Sequence, residues 1–267
     1  MITSVHNPRV KAAAALRDHR QRRKEQLVLI DGVRELARAI SAGVALREVF
    51  VCAELCRSEE ARRLLEILPK SAERLDVTEA VFARLAFGQR MEGVVGVAAV
   101  GAPGIPGRRR LEDIVLPASP LVVVLEGVEK PGNLGAVLRS ADGAGVSALV
   151  VADPRTDLFN PNVIRASLGT IFSLCVAAAA PGEVLAWLRG RGLQILAARV
   201  EGSVSYTEVD YRQPTAIVLG SEALGLTSLW SDDDIRAIRL PMLGVADSLN
   251  VSAAAAVLFY EALRQRT

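Results

Sequence analysis

Short runs of nearly unbroken apolar residues recur through the second half of this chain, at 121–125, 148–151, 174–177, 193–198, 215–219 and 235–240. A strand with one wet face alternates apolar and polar residues; a strand buried on both faces does not. Between these runs lie stretches with helical character, near 133–144, 161–170, 182–190 and 249–265. Strands that alternate with helices pair in parallel, because each helix carries the chain back across the sheet. The expected fold is therefore α/β with a mainly parallel sheet. Only 4% of the residues are aromatic, which also speaks against a β-sandwich. In open sheets of this kind ligands sit at the carboxyl ends of the strands, so chemistry is sought just after each run.

The first hundred residues read differently. Residues 5–24 predict one basic helix, 26–30 a strand, and 32–42 an amphipathic helix stopped at Gly43. Residues 46–51 predict a second strand, 59–68 a helix, 75–77 a short strand, and 93–100 a last strand. Thr78 is a plausible N-cap for a helix between the last two. These elements suffice for a small α/β domain over 1–100. Residues 101–107 then contain five Gly or Pro, followed by Arg108, Arg109 and Arg110. Neither a helix nor a central strand survives that composition. It marks 101–118 as a linker, with a second domain over 119–267.

Net charge is +2 over 267 residues, but its distribution is uneven. Arg9, Lys11, Arg17, Arg20, Arg22, Arg23 and Lys24 oppose only Asp18 and Glu25 within residues 1–25, which also hold His6 and His19. Such an arm can neutralise nucleic-acid phosphates; it can equally be a solvated helix face. Arginine supplies 28 of the 32 basic residues, and its planar fork suits phosphate. Cys52, Cys56 and Cys175 make no disulfide framework, and Cys52-x3-Cys56 lacks a second ligand pair for zinc. No apolar leader-like run occupies residues 1–24, and no uncharged apolar run reaches ~18 residues. The expectation is a cytoplasmic protein with reduced thiols, no membrane span and no metal.

Three motifs follow three of the apolar runs. The first runs from Leu125 to Arg139, with Gly127 and Gly132 spaced as in a phosphate loop. Asn133 and Leu134 stand where that loop needs Lys and Ser or Thr, and no G-x-G-x-x-G occurs. Kinase-type and dehydrogenase-type nucleotide sites are therefore disfavoured. Asn133 can N-cap the next helix, and Arg139 lies ~9 Å further along its axis, where it can face a substrate phosphate. The second motif is Leu219-Gly-Ser-Glu-Ala-Leu-Gly225, whose glycines permit close approach of a ligand. The third is Leu240-Pro-Met242 with Ser248-Leu-Asn-Val-Ser252, in which Ser248 is the N-cap candidate for an Ala-rich helix. Singly, each polar residue has a structural explanation as a cap, a surface charge or an ion pair. Three such motifs at one sheet end point to a site.

In order and spacing these stretches resemble the SpoU/TrmH family of RNA 2'-O-ribose methyltransferases, within the SPOUT superfamily, over residues 120–265. Asp31-Gly-Val-Arg-Glu-Leu and Met91-Glu-Gly-Val-Val-Gly resemble more weakly the RNA substrate-binding domain attached to many members. Asp31 stands where Glu is common, and Arg90-Met-Glu-Gly replaces the more usual pattern. The resemblance implies a deep C-terminal trefoil knot, a rare departure from ordinary chain topology. It also implies a homodimer with an active site completed across subunits, and S-adenosylmethionine (SAM) as methyl donor. By that match Leu219, Gly220, Gly225, Leu240, Met242 and Leu249 hold the donor, and Arg139, Asn133, Glu222, Ser248 and Asn250 form the catalytic and RNA-facing set. The implied substrate is rRNA. A tRNA substrate, a catalytically silent RNA-binding protein, and an enzyme that protects the ribosome from an antibiotic stand beside it. The family gives proton removal to the arginine matching Arg139. A guanidinium is a poor base, so Arg139 either loses a proton transiently or only positions phosphate and hydroxyl while another group or water takes it.

Overall fold

The computed structural model describes residues 1–87, 91–100 and 110–267. The glycine- and proline-rich run 101–107 falls outside them, as do Arg90, Arg108 and Arg109. The chain forms two compact units. One comprises the described residues up to 100 together with 157–173. The other comprises 110–156 and 174–267.

The first unit is built on strands β1 (Leu27–Asp31), β2 (Leu46–Val51), β3 (Glu73–Asp76) and β4 (Val94–Ala99), in the order β1-β4-β2-β3. β4 runs antiparallel to both neighbours, while β2 and β3 are parallel. Helices α1 (Pro8–Ala15), α2 (His19–Glu25), α3 (Val33–Ser41), α4 (Glu59–Glu66) and α5 (Glu79–Leu85) complete residues 1–100. Val10, Leu16, Phe50, Phe82, Leu85 and Val95 centre its core.

The single helix expected over 5–24 is two. Asn7 caps α1, and the Asp18 carboxylate accepts from the Arg20 and Gln21 amides to start α2 afresh. A residue that caps this well competes with a continuous helix. Thr78 takes the N-cap position of α5 with extended backbone, but its side chain makes no capping bond. At α3 the cap comes from elsewhere. Gly32 has no side chain to offer, and the Glu92 carboxylate accepts the Val33 N–H at 2.8 Å.

The basic arm is partly structural. Arg9 forks between Glu48 and Glu73. Arg17 donates to the Arg84 and Ala86 carbonyls. Arg22, 3% exposed, donates to Asp157 and to the carbonyls of Leu16 and Arg17. Lys11, Arg20, Arg23 and Lys24 are exposed. The segment 157–173 adds helix α7 (Pro161–Ala166), whose Arg165 lies 3.4 Å from Asp31. Arg38 donates to the Leu168 carbonyl at 2.8 Å.

Asp31 is 6% exposed and accepts the Phe87 N–H at 2.6 Å. Burial pushes its carboxyl up to about 6, against the opposing pull of that bond and of Arg165. A folded-state value above the unfolded one means that the native state holds the extra proton between about pH 4 and 6. The stabilisation is present below that window and is lost as pH rises through it, by up to ~3 kcal/mol. Thermal melts from pH 4 to 8 should show a downward slope that Asp31→Asn flattens. An unchanged slope in the variant would remove Asp31 as its source.

The second unit carries a seven-stranded, wholly parallel sheet. Its strands are β5 (Leu121–Glu126), β6 (Ala148–Ala152), β7 (Val176–Ala179), β8 (Gln194–Ala198), β9 (Val204–Ser205), β10 (Thr215–Leu219) and β11 (Ile235–Arg239), in the order β7-β6-β5-β10-β8-β11-β9. Every residue of β5, β6 and β10 is buried, as unbroken apolar runs require. Its helices are α6 (Pro131–Gly143), α8 (Pro181–Gly190) and α9 (Val251–Arg266), with α6 packed on α9. Leu111 and Ile114, beside a single 3-10 turn, are buried in the same core.

Two expected caps are replaced. Pro131 starts α6 at its first position with Lys130 as N-cap, so Asn133 lies inside the first turn. Asn250 rather than Ser248 caps α9, accepting the Ser252 N–H at 2.9 Å. The first correction frees the Asn133 side chain for other contacts, and the second frees Ser248.

Candidate active site

β10 lies at the middle of the parallel sheet, between β5 and β8. The chain leaving it turns back at once: the Gly225 N–H donates to the Ser221 carbonyl at 3.0 Å, and the Leu224 N–H to the Ser221 hydroxyl at 3.1 Å. Gly225 holds a φ of 65°, which few other residues adopt. Gly220 lies against it so closely that a Cβ there would sit 2.3 Å from the Gly225 carbonyl carbon. The glycines are thus required by the hairpin itself.

This hairpin walls a cavity of about 380 Å³ at the carboxyl ends of β8, β10 and β11. The volume falls in the range typical of small-molecule sites. Leu219, Gly220, Gly225, Leu240, Met242 and Leu249 all line it. Arg199 and Glu201 line it too, and sequence reasoning missed them. The signal was available: they follow β8, whose carboxyl end adjoins that of β10.

Glu222 and Ser248 lie on the cavity wall. The Asn133 side-chain amide donates to the Glu222 carboxylate, and the Asn250 amide donates to Asn133 Oδ1 at 3.3 Å. One residue from each motif thereby joins a single hydrogen-bonded string. Arg139 is not brought into it. It lies further along α6, exposed, and among the described residues its side chain makes no hydrogen bond or ion pair. Also among the described residues, no group of three His, Cys, Asp or Glu side chains is placed to hold a metal ion.

Residues 120–260, which contain every element of this site, match the SpoU rRNA Methylase family. The chain belongs to that family. Residues 7–96 match the MRM3-like substrate binding domain. A 23S rRNA (uridine(2479)-2'-O)-methyltransferase of Streptomyces viridochromogenes is 32% identical, over 94% of this chain and 86% of its own. A crystal structure of an RNA 2'-O ribose methyltransferase superposes with a TM-score of 0.86 at 41% identity, covering 99% of this chain and 98% of the other. The SpoU methyltransferase AviRb of S. viridochromogenes, crystallised with AdoMet, gives 0.85 at 29% identity over 98% of both chains. The α/β class with a parallel sheet, expected from the apolar runs, is the fold shared with these proteins.

Proposed function

We propose that this SpoU-family protein transfers the methyl group of SAM to a ribose 2'-hydroxyl of 23S rRNA, working as a homodimer. The observation that carries the reading is the glycine-walled cavity beside the Asn250–Asn133–Glu222 string. The cavity fits the donor in size, and its tightest wall, Gly220 against Gly225, presents backbone without side chain. Leu219, Gly220, Gly225, Leu240, Met242 and Leu249 hold the donor. SAM bound there supplies a methyl group made electrophilic by its sulfonium.

What remains for the protein is alignment of the 2'-oxygen with that methyl and disposal of the hydroxyl proton. Asn133 and Asn250 fix Glu222 at the cavity wall, and Ser248, released from capping, adds a hydroxyl there. Arg139 binds phosphate and ribose through its fork of donors, and proton removal falls to water or a second group. Among the described residues the Arg139 side chain has no hydrogen bond or ion pair to the string, and in this reading a second copy completes the site. Exposed apolar residues support such pairing: Val257 and Tyr260 on α9, Leu224 on the cavity wall, and Leu243 and Val245 in the stretch between β11 and α9. The knotted path belongs to this reading as well, and β10 inserted between β5 and β8 is the arrangement that suits it.

Ribosomal RNA is favoured as substrate by the match of residues 7–96 to a substrate-binding domain and by the 23S rRNA target of the Streptomyces relative. The exposed Lys11, Arg20, Arg23 and Lys24 offer it phosphate contacts. Among the described residues no helix is long and apolar enough to cross a membrane, and the reading places the protein with ribosomal RNA in the cytoplasm. Mapping 2'-O-methyl groups in cells with and without the gene should show one 23S rRNA position lost. Intact modification throughout 23S rRNA would sink the substrate. Absence of SAM binding by calorimetry, with and without RNA, would sink the activity.

A further inference from the structure

Two side chains outside the family motifs' polar set, Glu126 and Arg199, converge on the residue that follows the donor hairpin. Thr227 comes directly after Leu226, a cavity residue. Its N–H donates to Glu126 Oε2 at 2.8 Å and its hydroxyl to Glu126 Oε1 at 2.9 Å. Its carbonyl accepts from Arg199 Nη2 at 2.8 Å. Arg199 also donates to the Leu226 carbonyl at 3.3 Å, the Trp230 carbonyl at 3.2 Å and the Ser231 hydroxyl at 3.0 Å. Every hydrogen-bonding group of Thr227 is thus held by a side chain from a strand flanking β10. Glu126 is the last residue of β5, and Arg199 follows β8.

We infer that Glu126, Thr227 and Arg199 form a clamp that sets the affinity for the methyl donor by fixing the return arm of the Gly220–Gly225 hairpin. The three are positioning residues. Two features separate this from an ordinary fold-stabilising tie. Glu126 is 3% exposed, and a buried carboxylate is a costly way to gain stability alone. What its two oxygens supply is a fixed position and a fixed rotation for one peptide unit. Arg199, in turn, lines the cavity that its bonds hold open. Its own N–H donates to the Ile238 carbonyl at 2.9 Å, which ties the clamp to β11 and so to the far wall. The hairpin is short and closed by its own backbone bonds, so a shift at Thr227 passes directly to Gly225 and Gly220.

The inference rests on the cavity being the donor site. The test is SAM affinity by calorimetry on the full-length protein, together with KM for SAM, kcat on unmodified 23S rRNA, and thermal stability. Thr227→Val keeps the shape and removes the hydroxyl bond. Glu126→Gln leaves one acceptor oxygen for two donors. Each should weaken SAM binding about tenfold and raise KM for SAM alike, with kcat at saturating SAM nearly kept. Thr227→Ser should restore affinity to within about twofold. Wild-type SAM affinity in both Thr227→Val and Glu126→Gln overturns the clamp. So does a loss in which SAM affinity, kcat and thermal stability fall together and Thr227→Ser rescues none of them, or a failure of both variants to fold. Gly220→Ala separates the two readings. If it binds SAM normally, the donor site lies elsewhere; if it does not, while Thr227→Val does, only the clamp is wrong.

Discussion

Gly220→Ala should reduce SAM affinity by roughly 100-fold while leaving the parallel sheet folded. The added Cβ would lie 2.3 Å from the carbonyl carbon and oxygen of Gly225 and 2.5 Å from the Leu226 nitrogen. All three are backbone atoms, so no flexible side chain can swing away. Gly225 itself already holds a left-handed conformation within the hairpin, which leaves the loop little room to adapt. Opening it by the required distance costs ~3 kcal/mol, by analogy with overpacked cores, and that is roughly 100-fold in affinity. The effect falls on the donor because the displaced atoms are its wall, whereas β10 before the glycine is paired on both sides. Calorimetry with SAM, alongside circular dichroism, reads both quantities. SAM affinity within about threefold of wild type would sink the assignment of this wall.

Arg139→Lys should have the opposite signature. Arg139 does not line the cavity, so SAM affinity should be unchanged. Methyl transfer should fall by roughly 100-fold, the scale set by losing one well-placed donor or proton-transfer partner. Lysine keeps the charge but not the planar fork, so a phosphate held by one nitrogen and a ribose oxygen by another cannot both be kept. Single-turnover methylation of unmodified 23S rRNA, with RNA affinity measured separately, distinguishes the steps. Near-normal methylation and RNA binding in the lysine variant would exclude a bidentate role for Arg139, whether toward phosphate or toward hydroxyl.

The second unit was legible where its physics is local. An apolar run without alternation identifies a strand buried on both faces, and β5, β6, β8 and β10 lie within a residue or two of the runs that announce them. β9 was not, because two residues carry no period. The order of the strands was not either: nothing local to 215–219 says that β10 enters between β5 and β8. The caps failed for a more instructive reason. Asn133 and Ser248 are good capping residues, and propensity selects them. The backbone began one helix at Pro131 and gave the other to Asn250, which left both side chains for the site. Glu126 falls inside the first motif and Arg199 outside all three, but neither role was legible, since their partner Thr227 is 101 and 28 residues away from them. Likewise the basic stretch 1–25 gave its composition but not its division of labour. That three of its arginines are bound to Glu48, Glu73, Asp157 and backbone carbonyls depends on residues far along the chain.

The return of residues 157–173 to the first unit has a consequence for how such a protein can be taken apart. The chain passes between its units three times rather than once. The inserted stretch is held by Arg22 on Asp157, Arg38 on the Leu168 carbonyl and Arg165 beside Asp31, and a Cβ on Gly169 would meet the Glu35 backbone at 2.9 Å. A substrate module joined by a single peptide can be exchanged as a cassette, by recombination or by cloning. Here a cut near residue 105 would take away the partners of 157–173 and leave that segment as an unmatched remnant between β6 and β7. Swapping the first unit onto another catalytic unit therefore requires two grafts made together.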